Sequence, residues 1–156
     1  MKIYLASPLG FADSTKHFMG ELEKILFKFG EVINPWNSTL NSIMVEYLTI
    51  TDQGIRLYNL QKLSKEIGRE NEQSIRESDI VFAVLDGIDV DSGTASEIGF
   101  AYAIGKKIFG LCTNKRLTSD NEGAIVNLQV QYFIEASGGS IFRTLEEPCQ
   151  TLNALS

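Results

Sequence analysis

The sequence predicts an α/β fold: a doubly wound parallel sheet of about five strands with helices on both faces. Three observations carry that expectation. Short apolar runs alternate with stretches of helical periodicity along the chain. The run Asp79-Ile80-Val81-Phe82-Ala83-Val84-Leu85 is apolar through nearly its whole length, as a strand covered on both faces must be. A length of 156 residues suits one domain over residues 1–156, with enough core to fold without a metal or disulfide.

The elements follow in order. Lys2-Ile3-Tyr4-Leu5-Ala6 is a short β run ended by the turn formers Ser7-Pro8-Leu9-Gly10. Residues 14–29 carry Phe18, Leu22, Ile25, Leu26 and Phe29 at helical spacing, with Gly30 placed as a C-terminal cap. Glu31-Val32-Ile33-Asn34 is a brief strand stopped by Pro35. Residues 37–48 read as a short helix or an ordered loop, and 53–77 as a long helix with a possible break at Gly68. After the apolar strand, the loop 86–93 leads into a helix over 94–104, capped by Ser92 or Thr94 and closed by Gly105. Lys107-Ile108-Phe109-Gly110-Leu111 is the next strand, Val130-Gln131-Tyr132-Phe133-Ile134 a last short one, and a terminal helix begins near Phe142.

Composition narrows the function classes. The charge sum is 14 − 20 = −6, which disfavours nucleic acid and anionic membranes as partners. No apolar run reaches the length of a membrane span, and the N-terminus lacks the pattern of a signal peptide, so a cytoplasmic location is expected. Cys112 and Cys149 are expected as reduced thiols, and two cysteines with one histidine do not make a zinc site.

Ligands of open α/β sheets sit beyond the carboxyl ends of the strands, which directs attention to residues 6–11, 85–97 and 112–129. The first loop matches neither a dinucleotide fingerprint nor a phosphate-binding loop; Ser7 is a candidate floor for a ligand or part of a plain turn. Tyr4, within the first strand, reads on its own as a core aromatic. The second loop is densest in chemistry. Asp86, Asp89 and Asp91 follow the central strand, and such oxygen ligands would suit magnesium, although neither a calcium-loop spacing nor a phosphate loop accompanies them. Glu97 falls in the predicted first turn of the next helix, where a carboxylate complements the dipole. The stretch Ile98-Gly99-Phe100-Ala101-Tyr102-Ala103-Ile104 behind it is apolar nearly all round, so a carboxylate heading it is also a candidate for chemistry. A carboxylate can attack a sugar's anomeric carbon through an oxocarbenium-like transition state, with Asp91 close enough in sequence to orient a hydroxyl. Phosphotransfer would need basic residues that these loops lack. His17 reads as a surface or packing residue, and Cys112 has no histidine near it in sequence to activate it.

Taken together, Lys2-Ile3-Tyr4-Leu5-Ala6, Ser78-Asp79-Ile80-Val81, Asp91-Ser92-Gly93-Thr94-Ala95-Ser96-Glu97-Ile98-Gly99 and Asn127-Leu128 resemble, in order, the nucleoside 2-deoxyribosyltransferases. The resemblance spans Lys2 to about Glu146, and its most specific part is Asp-x-Gly-Thr-x-x-Glu-hydrophobic-Gly. It implies a flavodoxin-like sheet and a catalytic set of Glu97 as nucleophile, Tyr4 positioning that carboxylate, and Asp91 holding a deoxyribose hydroxyl. It implies a substrate-binding set of Asn71, Ser7, Gly93, Asn127 and Gln129, with Asn127 reaching the sugar in a neighbouring subunit's site. Two departures stand out. Asn71 occupies a position where many members have an aspartate at the nucleobase, and an amide cannot deliver a proton as an acid does. The tail, 152–156, does not match the aromatic C-terminus that some members place in the site.

The implied function is transfer of 2-deoxyribose between nucleobases by double displacement through a glycosyl-glutamate. The alternatives are an N-glycosidase acting on (deoxy)nucleosides or nucleoside 5′-monophosphates, and a non-catalytic nucleoside-binding module. An aspartate at position 91, where similar hydrolases tend to have serine, favours a free 5′-hydroxyl over a phosphate. No metal or organic cofactor is implied. The implied partners are a deoxynucleoside and a free nucleobase, within a homodimer or higher homo-oligomer that shares its active sites.

Overall fold

The computed structural model describes residues 1–116 and 119–153. Among these, β1 (Lys2–Ala6), β2 (Glu31–Ile33), β3 (Ile80–Val84), β4 (Lys107–Leu111) and β5 (Ile141–Phe142) form one parallel sheet in the order β2-β1-β3-β4-β5. Ile3 lies between Val32 and Ile80, Val81 pairs with Ile108, and Gly110 pairs with Ile141. The helices are α1 (Asp13–Leu26), α2 (Thr39–Leu48), α3 (Gln53–Glu77), α4 (Ser92–Ala103), α5 (Leu128–Ala136) and α6 (Glu147–Asn153). This is the flavodoxin-like order expected from the sequence. The chain steps outward from β1 to β2 and then returns past β1 to β3, so a crevice opens beyond the carboxyl ends of β1 and β3.

Strand parity distributes the side chains. Ile3 and Leu5 of β1 pack with Leu22 and Leu26 of α1, Phe82 of β3 and Leu152 of α6 in one layer. Tyr4 and Ala6 point the other way, into a layer with Ile75 of α3, Ile98 and Ala101 of α4, and Val130 and Ile134 of α5. Each fully buried Leu or Ile contributes roughly 1.5–3 kcal/mol. Packing of this kind, more than intrinsic propensity, holds helices as short as α5 and α6. The same parity sends Tyr4 toward α4.

Caps fix the boundaries that the sequence left open. Ser38 Oγ accepts from the Leu40 N–H at 3.1 Å, which makes 39–48 a helix and not a loop. Asp52 Oδ1 accepts from the Ile55 N–H at 2.9 Å and starts α3. At its far end, Lys106 Nζ donates to the carbonyls of Arg76 and Ser78, a cation placed at the negative end of the helix dipole. Gly105, at φ +75°, closes α4 as expected.

The structure corrects several expectations. Residues 130–134 are helix, not strand. Asn127 caps that helix, and the i, i+4 pair Val130 and Ile134 is buried while Tyr132 is exposed. The β-branched and aromatic residues of that run signal packing volume, and the buried period is helical. Phe142 belongs to β5, stacked 6.2 Å from Phe82 and 5.7 Å from Phe109, and the terminal helix starts at Glu147. Helix α1 ends at Leu26, so Gly30 lies in the turn before β2 and does not cap it.

Helix α3 runs unbroken through Gly68, and a Cβ built there meets nothing within 4 Å. Gly68→Ala therefore removes backbone freedom from the unfolded chain without a clash. It should stabilise the protein by about 0.5–1 kcal/mol, a rise in Tm of roughly 1–4 °C at this size, measurable by calorimetry. A fall in Tm would mean that the glycine serves a local distortion of α3.

Candidate functional site

A cavity of about 420 Å³ occupies the crevice, within the range typical of small-molecule sites. Four segments build it. Ser7, Gly10 and Phe11 come from the turn after β1, and Pro35 and Trp36 follow β2. Asn41, Met44, Ile67 and Asn71 come from α2 and α3, and Asp91, Gly93, Thr94 and Glu97 from the start of α4.

The centre of the site is a contact between residues 93 positions apart. Tyr4 Oη donates to Glu97 Oε1 at 2.7 Å. Tyr4 is buried on the α4 side of β1 by strand parity, and Glu97 sits one and a half turns into α4, with Ile98 and Ala101 anchoring the helix beneath it. The expectation that Glu97 lies in the first turn is corrected, because the cap is Asp91 and not Ser92 or Thr94. Asp91 Oδ2 accepts from the Thr94 N–H at 3.0 Å, which begins the helix at Ser92. Burial pushes the Glu97 carboxyl up to about 7; the Tyr4 hydrogen bond opposes that shift and the Asp91 charge adds to it. Burial and then the adjacent Glu97 charge hold the Tyr4 phenol far above its ordinary range, so it remains a donor at any working pH. A second donor, Asn71 Nδ2, lies 3.4 Å from the same Glu97 Oε1.

Of the residues singled out from the sequence, Glu97, Asp91, Asn71, Ser7 and Gly93 line one cavity, and Tyr4 stands behind Glu97. Asn127 and Gln129 do not line the cavity of their own chain. Asn127 caps α5, its Oδ1 accepting from the N–H groups of Gln129 and Val130, and Gln129 is exposed. The three aspartates of the second loop diverge. Asp86 accepts from Thr113 Oγ1 and the Asn114 N–H, Asp89 from the Val90 N–H, and Asp91 caps α4. They therefore do not present one set of oxygens to a cation. Burial raises the Cys112 thiol, which argues against a nucleophilic role, and His17 is exposed on α1. Residues 154–156 and 117–118, parts of the tail and of the third loop, lie outside the described residues.

The sequence reading missed the aromatic wall. Trp36 Nε1 donates to the Ser7 carbonyl at 2.7 Å, and its ring meets Phe11 edge-on at 4.5 Å between centroids. A Cβ on Gly10 would fall 1.9 Å from the Trp36 ring, so the turn after β1 closes on this indole only with glycine there. Phe11 is 77% exposed and stands at the rim, with Trp36 behind it. The signal in the sequence is Pro35-Trp36 directly past the carboxyl end of β2, a strand end outside the segments 6–11, 85–97 and 112–129.

The profile described as nucleoside 2-deoxyribosyltransferase matches residues 3–129. No curated protein matches the chain. Among solved structures, a conserved protein from Enterococcus faecalis V583 superposes with a TM-score of 0.75 at 24% identity, covering 100% of this chain and 99% of that one. A 2-deoxyribosyltransferase from the psychrotolerant Bacillus psychrosaccharolyticus gives 0.60 at 22% identity, over 97% and 96%. A CMP N-glycosidase from Clostridium botulinum gives 0.56 at 20% identity, over 98% and 99%. These likenesses show a shared fold. The profile match, which takes in Tyr4, Asn71, Asp91, Glu97 and Asn127, shows more: the chain belongs to the nucleoside 2-deoxyribosyltransferase family.

Proposed function

We propose that the protein transfers 2-deoxyribose from a deoxynucleoside to a second nucleobase. The Tyr4–Glu97 pair at 2.7 Å carries this reading, since it fixes one carboxylate oxygen inside a small-molecule cavity, where burial raises the carboxyl to about 7 against the pull of that hydrogen bond. In the ionised form Glu97 attacks C1′. Its oxygen forms the new bond as the C1′–N bond breaks, and the electron pair leaves with the base. A nitrogen of the incoming base then attacks C1′ and returns the carboxylate, with net retention. The missing 2′-hydroxyl eases the oxocarbenium-like state, so ribonucleosides are poorer substrates.

The charge of the cavity supports a nucleoside over a nucleotide. Among the described residues, its lining contains two carboxylates, Asp91 and Glu97, and neither lysine nor arginine. The α4 N-terminus, the natural seat for a phosphate, is already occupied by the Asp91 carboxylate on the Thr94 N–H. In this reading Asp91 accepts from a sugar hydroxyl. Asn127, outside its own cavity, is assigned in this reading to the cavity of a neighbouring copy, in a homodimer or an assembly of dimers.

The deciding measurement is product analysis by chromatography after incubation with a deoxynucleoside, with and without a different free base. A new deoxynucleoside carrying the added base is expected. Free deoxyribose alone, unaffected by added base, would make the protein an N-glycosidase. Turnover only of the 5′-monophosphate would overturn the nucleoside assignment, and binding without turnover would leave a non-catalytic module.

A further inference from the structure

Both hydrogen bonds that reach Glu97 end on one oxygen. Tyr4 approaches Oε1 from β1 and Asn71 approaches it from α3. Among the described residues, Oε2 is left without a donor. The amide of Asn71 is therefore directed at the carboxylate and works on the nucleophile's side of the reaction. Among the described residues, the cavity wall holds two titratable side chains, Glu97 and Asp91. Glu97 must be ionised to attack. Asp91 is held as an acceptor by the Thr94 N–H at 3.0 Å and faces its hydroxyl at 3.4 Å. The rest of the lining consists of amides, hydroxyls, glycine, proline and apolar groups, none of which serves as an acid near neutrality.

We infer that this site expels the nucleobase without a proton from its own cavity wall, with Asn71 acting as a positioning residue for Glu97, so that turnover is governed by how well the departing base carries negative charge. The inference rests on the glycosyl-transfer reading above. Glu97 forms the ester to C1′, the C1′–N electron pair stays on the base nitrogen, and the base anion then takes a proton from solvent water. A proton supplied by an acid would weaken the dependence of rate on leaving-group acidity. Here nothing in the wall weakens it among the described residues. Substrates are thereby ranked by the N–H acidity of their bases before shape is considered.

The test uses deoxyuridines that differ only at C5 (hydrogen, methyl, fluorine), which vary base acidity with little change of size. The readout is single-turnover base release. The wild type should speed up steeply with base acidity, on the order of 5- to 10-fold per pKa unit of the base. Asn71→Ala should slow every member by roughly tenfold, the value of one hydrogen bond to a charged group, without changing that slope. Asn71→Asp should shift the pH rise of activity upward, because it sets a second carboxylate beside Glu97. The other groups acting on this centre are Tyr4 from β1, Asp91 at the start of α4 and, through Tyr4, Glu70 of α3. A flat response in a wild type that releases base from all members would overturn the inference alone, by showing that an acid is present. An Asn71→Ala loss that differs from base to base would overturn it too, by placing Asn71 on the base. Release of base from no member would overturn the transfer reading together with the inference.

Discussion

Glu97→Gln is expected to abolish base exchange, a loss on the order of 10⁴-fold or more, while making the protein more stable at alkaline pH. The first effect follows from removing the bond-forming oxygen, since an amide is a far weaker nucleophile. The second follows from burial. The folded carboxyl titrates at about 7, against about 4.3 in the unfolded chain. A group raised in this way contributes stability that is fully present below the unfolded value and lost as pH rises through the folded one. Above pH 7 the wild type therefore holds an ionised carboxylate in a poorly solvated place, and glutamine does not. The variant should be more stable than the wild type by the most near pH 8, by about 4 kcal/mol at the upper limit, and the gap, read as a difference in Tm, should shrink toward pH 4. Calorimetry across this range, beside an exchange assay, measures both effects. A folded Glu97→Gln protein that still exchanges bases would end the covalent mechanism. A gap that does not vary with pH would show the carboxyl to be solvated like any surface glutamate. Both effects of the substitution trace to one carboxylate, whose burial disfavours its charge and also strips water from the attacking oxygen.

The parts of this arrangement that depend on local sequence were legible before the fold was known. β1, β3 and β4 announce themselves because strands buried on both faces must be apolar throughout, and all five residues of β3 are buried. The 130–134 run misleads because Val, Tyr, Phe and Ile favour strands when composition is read over five residues. Only the burial period, Val130 to Ile134, discriminates, and five residues hold little more than one turn of it. The start of α4 was misread by a few residues for a related reason. Asp91, Ser92 and Thr94 are all good caps, and what selects Asp91 is the reach of its carboxylate back to the Thr94 N–H.

The site was legible where a motif marks it and obscure where tertiary packing makes it. Asp91, Gly93 and Glu97 lie within seven residues, so one local pattern exposes them. Tyr4 on its own is indistinguishable from a core aromatic; it is in fact fully buried in the core, and its hydroxyl alone serves the site. Trp36 and Phe11 come together only because β2 lies beside β1 in the sheet, and strand order is not written in periodicity. Asn127 and Gln129 pose the reverse case. The family resemblance points to both, and the motif itself to Asn127, yet a single copy leaves them outside its cavity.

Tyr4→Phe separates the two roles that this residue plays. The ring belongs to the buried layer that includes Ile75 of α3 and Ile98 of α4, and phenylalanine keeps the ring in that layer, so folding should be retained. The lost hydroxyl leaves Glu97 Oε1 with Asn71, at 3.4 Å, as its remaining donor. A donor that positions an ionised carboxylate contributes roughly 1.5–3 kcal/mol, so the exchange rate should fall about 10- to 100-fold. That is well short of the loss from removing the nucleophile. The pH dependence carries the sharper information. The Tyr4 hydrogen bond pulls the Glu97 carboxyl down against burial and the Asp91 charge. Without it the carboxylate is harder to form, and the rise of activity should move from about 7 to higher pH. A pH profile of single-turnover base release measures this directly. Part of the lost rate should then return in alkaline buffer, because the fraction of Glu97 that is ionised recovers there while the lost orientation does not. An unchanged rate and an unmoved profile would reduce Tyr4 to a packing residue and leave the 2.7 Å contact without a catalytic role.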